Sequence, residues 1–219
     1  MLAFGNAILL GTTYLIPPPE PGEFVHTGPV SYNWVVPAGV YSICAVGIGR
    51  GGNARLSDDG QSSGGGGGGA LMYANDIPVT PGEILVLQHG TIRRGATVLI
   101  GAFNGYSQSG SGSGGSLNAA GGIPNPAAQA IAWVGYNGGA GRRWSGATRG
   151  AGGGAAGYTG NGPSGSSGAT RGRNMSLNGP TSNLNMCGGG AGAPNSINGT
   201  DGGVRIIWGL GRSYPNNAL

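Results

Sequence analysis

The chain has 219 residues, of which 52 are glycine, 38% are apolar and only 8% are charged, with a formal net charge of +4. Glycine near a quarter of the chain is far above the usual ~7%, and charge is far below the usual ~25%. So little charge argues against a disordered chain solvated by its own charges, and so little apolar content limits any conventional core to a small, local one. All the basic residues are Arg, which suits planar stacking and bidentate hydrogen bonding. A net charge of +4 does not by itself point to nucleic acid.

In chain order, the first segment is apolar: Leu2, Phe4, Ile8, Leu9, Leu10, Tyr14, Leu15 and Ile16 are interrupted only by Gly5, Asn6 and a few small residues. It has no basic leading region and is too short and broken to span a bilayer, so neither a cleaved signal nor membrane insertion is expected. It reads as an attachment arm over residues 1–28, with PPPEP at 17–21 as a stiff polyproline II spacer, ahead of one domain over 29–219.

Strand signals follow. YNWVVPAGVYSICAVGIG (32–49) holds two β-rich runs about a PAG turn. ALMYANDIPVTPGEILVLQHG (70–90) predicts a run ending near Ala74, a turn at NDIP, and a second run after TPG. Shorter runs are ATVLIGAF, AIAWVGYNG and the C-terminal GGVRIIWG. In the last, Val204, Ile206 and Trp208 alternate with Arg205 and Ile207. That pattern predicts a half-buried frame strand pairing with NWVVP or YSICAVGIG, with Trp208 in the core. No stretch keeps a helical apolar period beyond two turns, so the chain reads as all-β plus glycine.

Between these runs lie glycine tracts, including six consecutive glycines, Gly64 to Gly69. Such tracts are usually flexible linkers, and fixing them is entropically costly. Here strands pin both ends of several short tracts, which predicts order. Gly154, Gly157 and Gly160 are three apart, as are Gly162, Gly165 and Gly168. Three residues is the turn of a polyproline II helix, so these glycines predict side-chain-free faces that pack against one another. GATRG occurs at 146–150 and at 168–172, with a partial copy, RRGAT, at 93–97. The repeat is consistent with similar elements laid side by side, or with chance in so biased a composition.

The terminal GGVRIIWGLGRSYPNNAL, with Gly202 to Gly209, Gly211-Arg212 and Tyr214-Pro215, resembles the closing segment of glycine-rich structural and tail-fibre proteins of bacteriophages, marine ones especially. The upstream order of NWVVPAGVYSICAVGIGRGG, a glycine run, ALMYANDIPVTPGEILVLQHG and glycine-rich loops is similar too, so the resemblance spans residues 30–219. It departs from that pattern at GGIPNPAAQAIAWV, where the family carries longer glycine runs.

The resemblance implies an all-β fold, a β-sandwich-like frame carrying a bundle of glycine-rich polyproline II (polyglycine) helices. It also implies a non-enzymatic surface protein of the virion, a tail-fibre or adhesin component made in the bacterial cytoplasm and attaching to the host, with a capsid decoration or cement role as the alternative. The implied partners are other virion proteins, copies of itself (a homotrimer above all) and a host-surface glycan or protein, with no nucleic acid and no cofactor.

Catalytic patterns are thin. His26 and His89 lack metal-ligand spacing, Asp58 and Asp59 read as a turn, Glu83 opens a strand, and GRGGNA lacks the P-loop lysine. Candidate ligand or subunit contacts are Trp133, Tyr136, Arg142, Arg143, Trp144, Arg149, Tyr158 and Arg171, because Trp, Tyr and Arg are enriched at interfaces and aromatic rings stack on sugars. Cys44 and Cys187 read as free, partly buried thiols, with a disulfide as the alternative.

Overall fold

The computed structural model describes residues 18–56, 63–107, 132–141, 152–165, 175–177 and 198–216. Among them are the strands β1 (Gly22–Thr27), β2 (Tyr32–Val35), β3 (Ser42–Ile48), β4 (Arg55–Leu56), β5 (Ser63–Gly64), β6 (Leu71–Pro78), β7 (Ile84–Gln88), β8 (Thr91–Arg94), β9 (Thr97–Gly101), β10 (Trp133–Tyr136) and β11 (Gly203–Trp208). A five-stranded antiparallel sheet runs β1-β11-β3-β6-β10, and a four-stranded one runs β2-β7-β8-β9. Strands β4 and β5 pair separately. The chain is all-β.

The two large sheets pack face to face. Trp34, Leu85, Leu87, Ile92 and Ile100 of the smaller sheet meet Ile43, Met72, Ile77, Val204 and Ile206 of the larger. Burying each such side chain contributes about 1.5–3 kcal/mol. The opposite face of the larger sheet is covered as well. There Val46, Ile48, Leu71, Tyr73 and Ile207 pack against Ala155, Ala156, Tyr158, Leu177 and Tyr214. The described residues therefore form three layers, and the central strands of the middle one, β3, β6 and β11, are buried on both faces over most of their length.

β11 pairs with β3, Ile206 opposite Ala45 and Ile207 opposite Cys44, so of the two expected partners it takes the YSICAVGIG run and not NWVVP. Its other neighbour is β1, with Phe24 opposite Ile206 and Gly22 opposite Trp208. Two expectations change here. The strand is buried on both faces rather than half-buried, because the third layer covers its second side. Trp208 is only partly buried at the rim, packed on the core with its ring 5.9 Å from that of Trp34.

The boundary drawn at residue 28 also moves. Gly22–Thr27 is an edge strand of the main sheet, and Pro21 lies against Gly209, so the end of the proline stretch belongs to the body. The arm residues Leu2, Phe4, Ile8, Leu9, Leu10, Tyr14, Leu15 and Ile16 lie outside the described residues.

NDIP is not a turn. β6 continues to Pro78 through a bulge opposite Cys44, where the register shifts between Ile43 and Ala45 and Asp76 takes a positive φ of 55°. Asp is among the few residues that tolerate this region, so the extra residue is absorbed without ending the strand. Asn75, beside it, donates from Nδ2 to the Tyr214 carbonyl at 2.8 Å. Its Oδ1 accepts from the Tyr214 backbone N–H, also at 2.8 Å. This side-chain clamp fastens the C-terminal segment to the sheet. The partial repeat RRGAT forms the β8–β9 hairpin, with Arg94 opposite Thr97.

The glycine run is ordered and buried from Gly64 to Gly69. No regular helix is present among the described residues, so the expected helical bundle is not seen as such. Instead, extended glycine-rich segments are cross-linked backbone to backbone. Gly49 donates to Ala70 at 2.9 Å and Gly52 to Gly67 at 2.8 Å. Gly67 donates to Tyr106 and Ala70 to Phe103, both at 3.0 Å. Gly153 donates to Gly66 and Ala156 to Gly69, both at 2.9 Å. Gly162 donates to Asn137 at 2.8 Å and Gly165 to Ala140 at 2.9 Å. In each pair donor and acceptor both step by three residues, in opposite directions in the first two pairs and in the same direction in the last two, so every third amide meets the neighbouring segment.

Only side-chain-free backbones approach this closely. A Cβ on Gly68 would overlap the Gly154 carbonyl, one on Gly138 the Gly68 carbonyl, and one on Gly153 the Gly139 carbonyl. The three-residue series itself is only partly in the lattice. Gly154, Gly162 and Gly165 are engaged, whereas Gly157 and Gly160 close a turn through a 2.9 Å Gly157 N–H to Gly160 carbonyl bond. A Cβ on Gly160 would meet nothing. The second GATRG copy and Gly168 lie outside the described residues, as does the first.

Candidate functional site

At one end of the sandwich a cavity of about 360 Å³ opens between the proline stretch, the strand preceding β6's bulge and the loop after β11. That volume falls in the range of small-molecule sites, ~300–1,000 Å³. Pro18 and Pro19 form one side; Tyr41, Ser42 and Asp76 form the second; Trp208 and the turn Gly209–Arg212 form the third.

Local sequence explains each wall. Proline fixes φ, so Pro18 and Pro19 give a stiff flank with no backbone donor. The bulge brings Asp76 to the rim of β6 in a backbone conformation that costs about 1–2 kcal/mol for a residue with a Cβ. Gly209 (φ 112°) and Gly211 (φ 77°) let the chain turn sharply after β11, and that turn leaves Leu210 89% exposed. Gly22, opposite Trp208, has no Cβ because the indole lies over its backbone.

The floor is polar but internally paired. The Cys44 thiol donates to the Arg212 carbonyl at 3.4 Å, and burial pushes its pKa up, so it stays protonated. Arg212 donates to the Gly22 carbonyl at 2.6 Å and to Glu23 at 3.3 Å. Arg205, 2% exposed, is ion-paired to the same Glu23. The Arg205 hydrogen bond, assisted by the charges of both arginines, holds the Glu23 carboxyl below its usual range. Two other lining residues differ: Tyr41 is 61% exposed, and Asp76 is exposed as well.

The residues expected to make external contacts are distributed otherwise. Tyr158 is 3% exposed and belongs to the third layer. Its ring stacks on Tyr214 at 6.2 Å and its hydroxyl donates to the Ser176 carbonyl at 2.9 Å, so it is a core residue rather than a surface contact. Trp133 and Tyr136 are half-buried on the edge strand β10, the first against the inner core and the second against the aromatic layer. Arg142, Arg143, Trp144, Arg149 and Arg171 lie outside the described residues, as does Cys187. Arg50 pairs with Asp201 at 3.5 Å and with Asn53 at 3.1 Å, so its contacts here are within the chain.

The cavity itself was not foreseen. NDIP predicts a turn at Asp76, and nothing local marks Tyr41. The legible signal was the Asn-Asp pair inside a strand-like run, since these residues mark bulges and left-handed positions. Among the described residues no group of three or more His, Cys, Asp or Glu side chains could hold a metal ion.

Together these features define, among the described residues, an all-β sandwich with a backbone-linked glycine layer and a pocket beside the proline stretch. No protein-family model matches the chain, and no curated protein matches it.

Proposed function

We propose that this chain is a non-enzymatic surface protein of a phage particle, a tail-fibre or adhesin component that joins the virion through residues 1–17 and contacts the host envelope through its body. The observation that carries the reading is the glycine layer. Its strength lies in amide-to-carbonyl bonds between segments, which salt does not screen. Such a layer keeps its shape outside the cell while exposing loops in which variation is tolerated. In this reading the three-residue step of the hydrogen bonds makes the layer a polyglycine lattice of polyproline II type. The terminal motif from Gly202 to Arg212, on which the phage resemblance rests, supplies β11 and the pocket turn.

The test is location and adhesion. Gold-labelled antibody against the chain should mark the tail of intact particles, and the purified chain should bind host cells and compete with particle adsorption. Labelling confined to the shell, with no cell binding, would instead make it a capsid decoration or cement protein. Absence from purified particles would overturn the proposal. A chain lacking residues 1–17 should fold and fail to join the particle. The deletion stops there because Pro18 and Pro19 line the pocket.

A further inference from the structure

We infer that the end pocket is a binding site for a neutral saccharide, held by Tyr41, Trp208 and Asp76. The inference deepens the host-attachment reading and rests on it only for where the sugar comes from.

Three observations converge. The first is that two aromatic residues line the cavity: Trp208, half-buried with its indole over Gly22, and Tyr41, 61% exposed. A sugar ring presents flat C–H faces that pack on aromatic faces, and Trp and Tyr offer large rigid area at little entropic cost. The second is Asp76. Its φ of 55° is one of two positive values among described non-glycine residues. The other, His89 at 48°, makes the turn between β7 and β8. Asp76 holds a less favoured conformation where it lines a cavity, and it is exposed there. A carboxylate offers acceptor sites for two neighbouring hydroxyls, and charge-assisted bonds of that kind are the strong ones. Ser42 adds a hydroxyl on the same wall.

The third observation is charge. Among the residues lining the cavity the charged side chains are one guanidinium, Arg212, and one carboxylate, Asp76. These sum to zero. Arg212 in the wall disfavours a cationic ligand, and Asp76 disfavours an anionic one. An uncharged ligand that is apolar on one face and rich in hydroxyl donors on its edge fits both. A neutral hexose or N-acetylhexosamine has that chemistry, and a single sugar residue is small enough for a space of about 360 Å³.

The experiment is a saturation-transfer NMR titration of the full chain. The neutral probes are methyl β-glucoside, methyl β-galactoside and N-acetylglucosamine; the anionic probe is N-acetylneuraminic acid and the cationic one glucosamine. At least one neutral probe should bind saturably. Asp76→Gly, which relieves the positive φ and so keeps the fold, should weaken it by about tenfold or more, as should Tyr41→Ala at an exposed position. Tyr106→Ala removes an equally exposed ring elsewhere and should change nothing. The inference is overturned if no neutral probe binds, if a charged probe binds better, or if Asp76→Gly and Tyr41→Ala bind as the parent does. Virion location is measured separately, so a particle protein that binds no sugar overturns this inference alone. A sugar-binding chain absent from particles overturns only the proposed function.

Discussion

Gly68→Ala tests whether the glycine layer is a load-sharing lattice or loosely draped chain. The Gly68 N–H donates to Gly139, the Gly139 N–H to Gly154 and the Gly154 N–H to Pro163, each at 2.8 Å. A Cβ on Gly68 would overlap the Gly154 carbonyl, so the two segments must part by roughly an ångström to restore ordinary contact. That displacement stretches the two bonds that join these segments, Gly153 to Gly66 and Ala156 to Gly69, beyond hydrogen-bonding range. Each lost bond is worth about 1 kcal/mol, and each buried group left unsatisfied costs about 1–3 kcal/mol. Against this, Ala restricts the unfolded chain and returns about 0.4–1 kcal/mol. The loss wins, with a net destabilisation of about 3 kcal/mol. For a domain of this size that lowers Tm by roughly 6–12 °C. Gly160→Ala is the control, because a Cβ there meets nothing, and it should be neutral or slightly stabilising. Both are read by thermal denaturation followed by circular dichroism. Equal melting temperatures for Gly68→Ala and Gly160→Ala would refute the lattice.

Asn75→Ala removes both hydrogen bonds to the Tyr214 backbone and should cost about 2 kcal/mol in urea denaturation, with faster amide exchange at Tyr214 than in the parent. Trp208→Ala should cost about 2 kcal/mol rather than the ~3–5 kcal/mol of a fully buried aromatic, because the ring sits at the rim; no change at all would mean that the ring leaves the Trp34 contact in solution. Acid should weaken the fold in two windows, seen as Tm against pH. Burial, with the Arg50 charge, lowers the pKa of His89 from 6.5, so the unfolded chain takes up its proton first and stability falls as pH drops below 6.5. Glu23 contributes stability that is fully present above 4.5 and is lost as pH falls through its depressed folded value; Glu23→Gln should flatten that lower limb while His89→Asn flattens the upper.

Much of the frame is legible locally. β-branched and aromatic runs bounded by Pro and Gly mark β2, β3, β7, β9, β10 and β11, because strand formation there follows from short-range pattern. That β11 pairs with an early strand follows from its apolar residues needing a partner, although the choice of YSICAVGIG over NWVVP stays open in the sequence, and the order of the glycine run follows from strands that pin its ends. What escaped is whatever depends on the surroundings of a segment. GEFVHT alternates weakly and follows a proline stretch, so only its place beside β11 makes it a strand. The double burial of β11 depends on a third layer contributed by residues far along the chain, Tyr158, Leu177 and Tyr214. The same layer turns Tyr158 from a candidate surface contact into core.

Composition and spacing by themselves determined that this chain is all-β, that its glycines are structural and that its steps of three matter, because those properties reside in single residues and their neighbours. Only the tertiary structure decided which glycines carry the lattice. A missing Cβ matters where another backbone occupies its place, as at Gly68 and Gly138, and is immaterial at Gly160, although the sequence spacing singles out Gly160 and neither of the others. The pocket likewise exists only in three dimensions. Pro18, Tyr41, Asp76 and Trp208 are far apart in the chain and meet because β1, β3, β6 and β11 belong to one sheet whose ends the loops must cross.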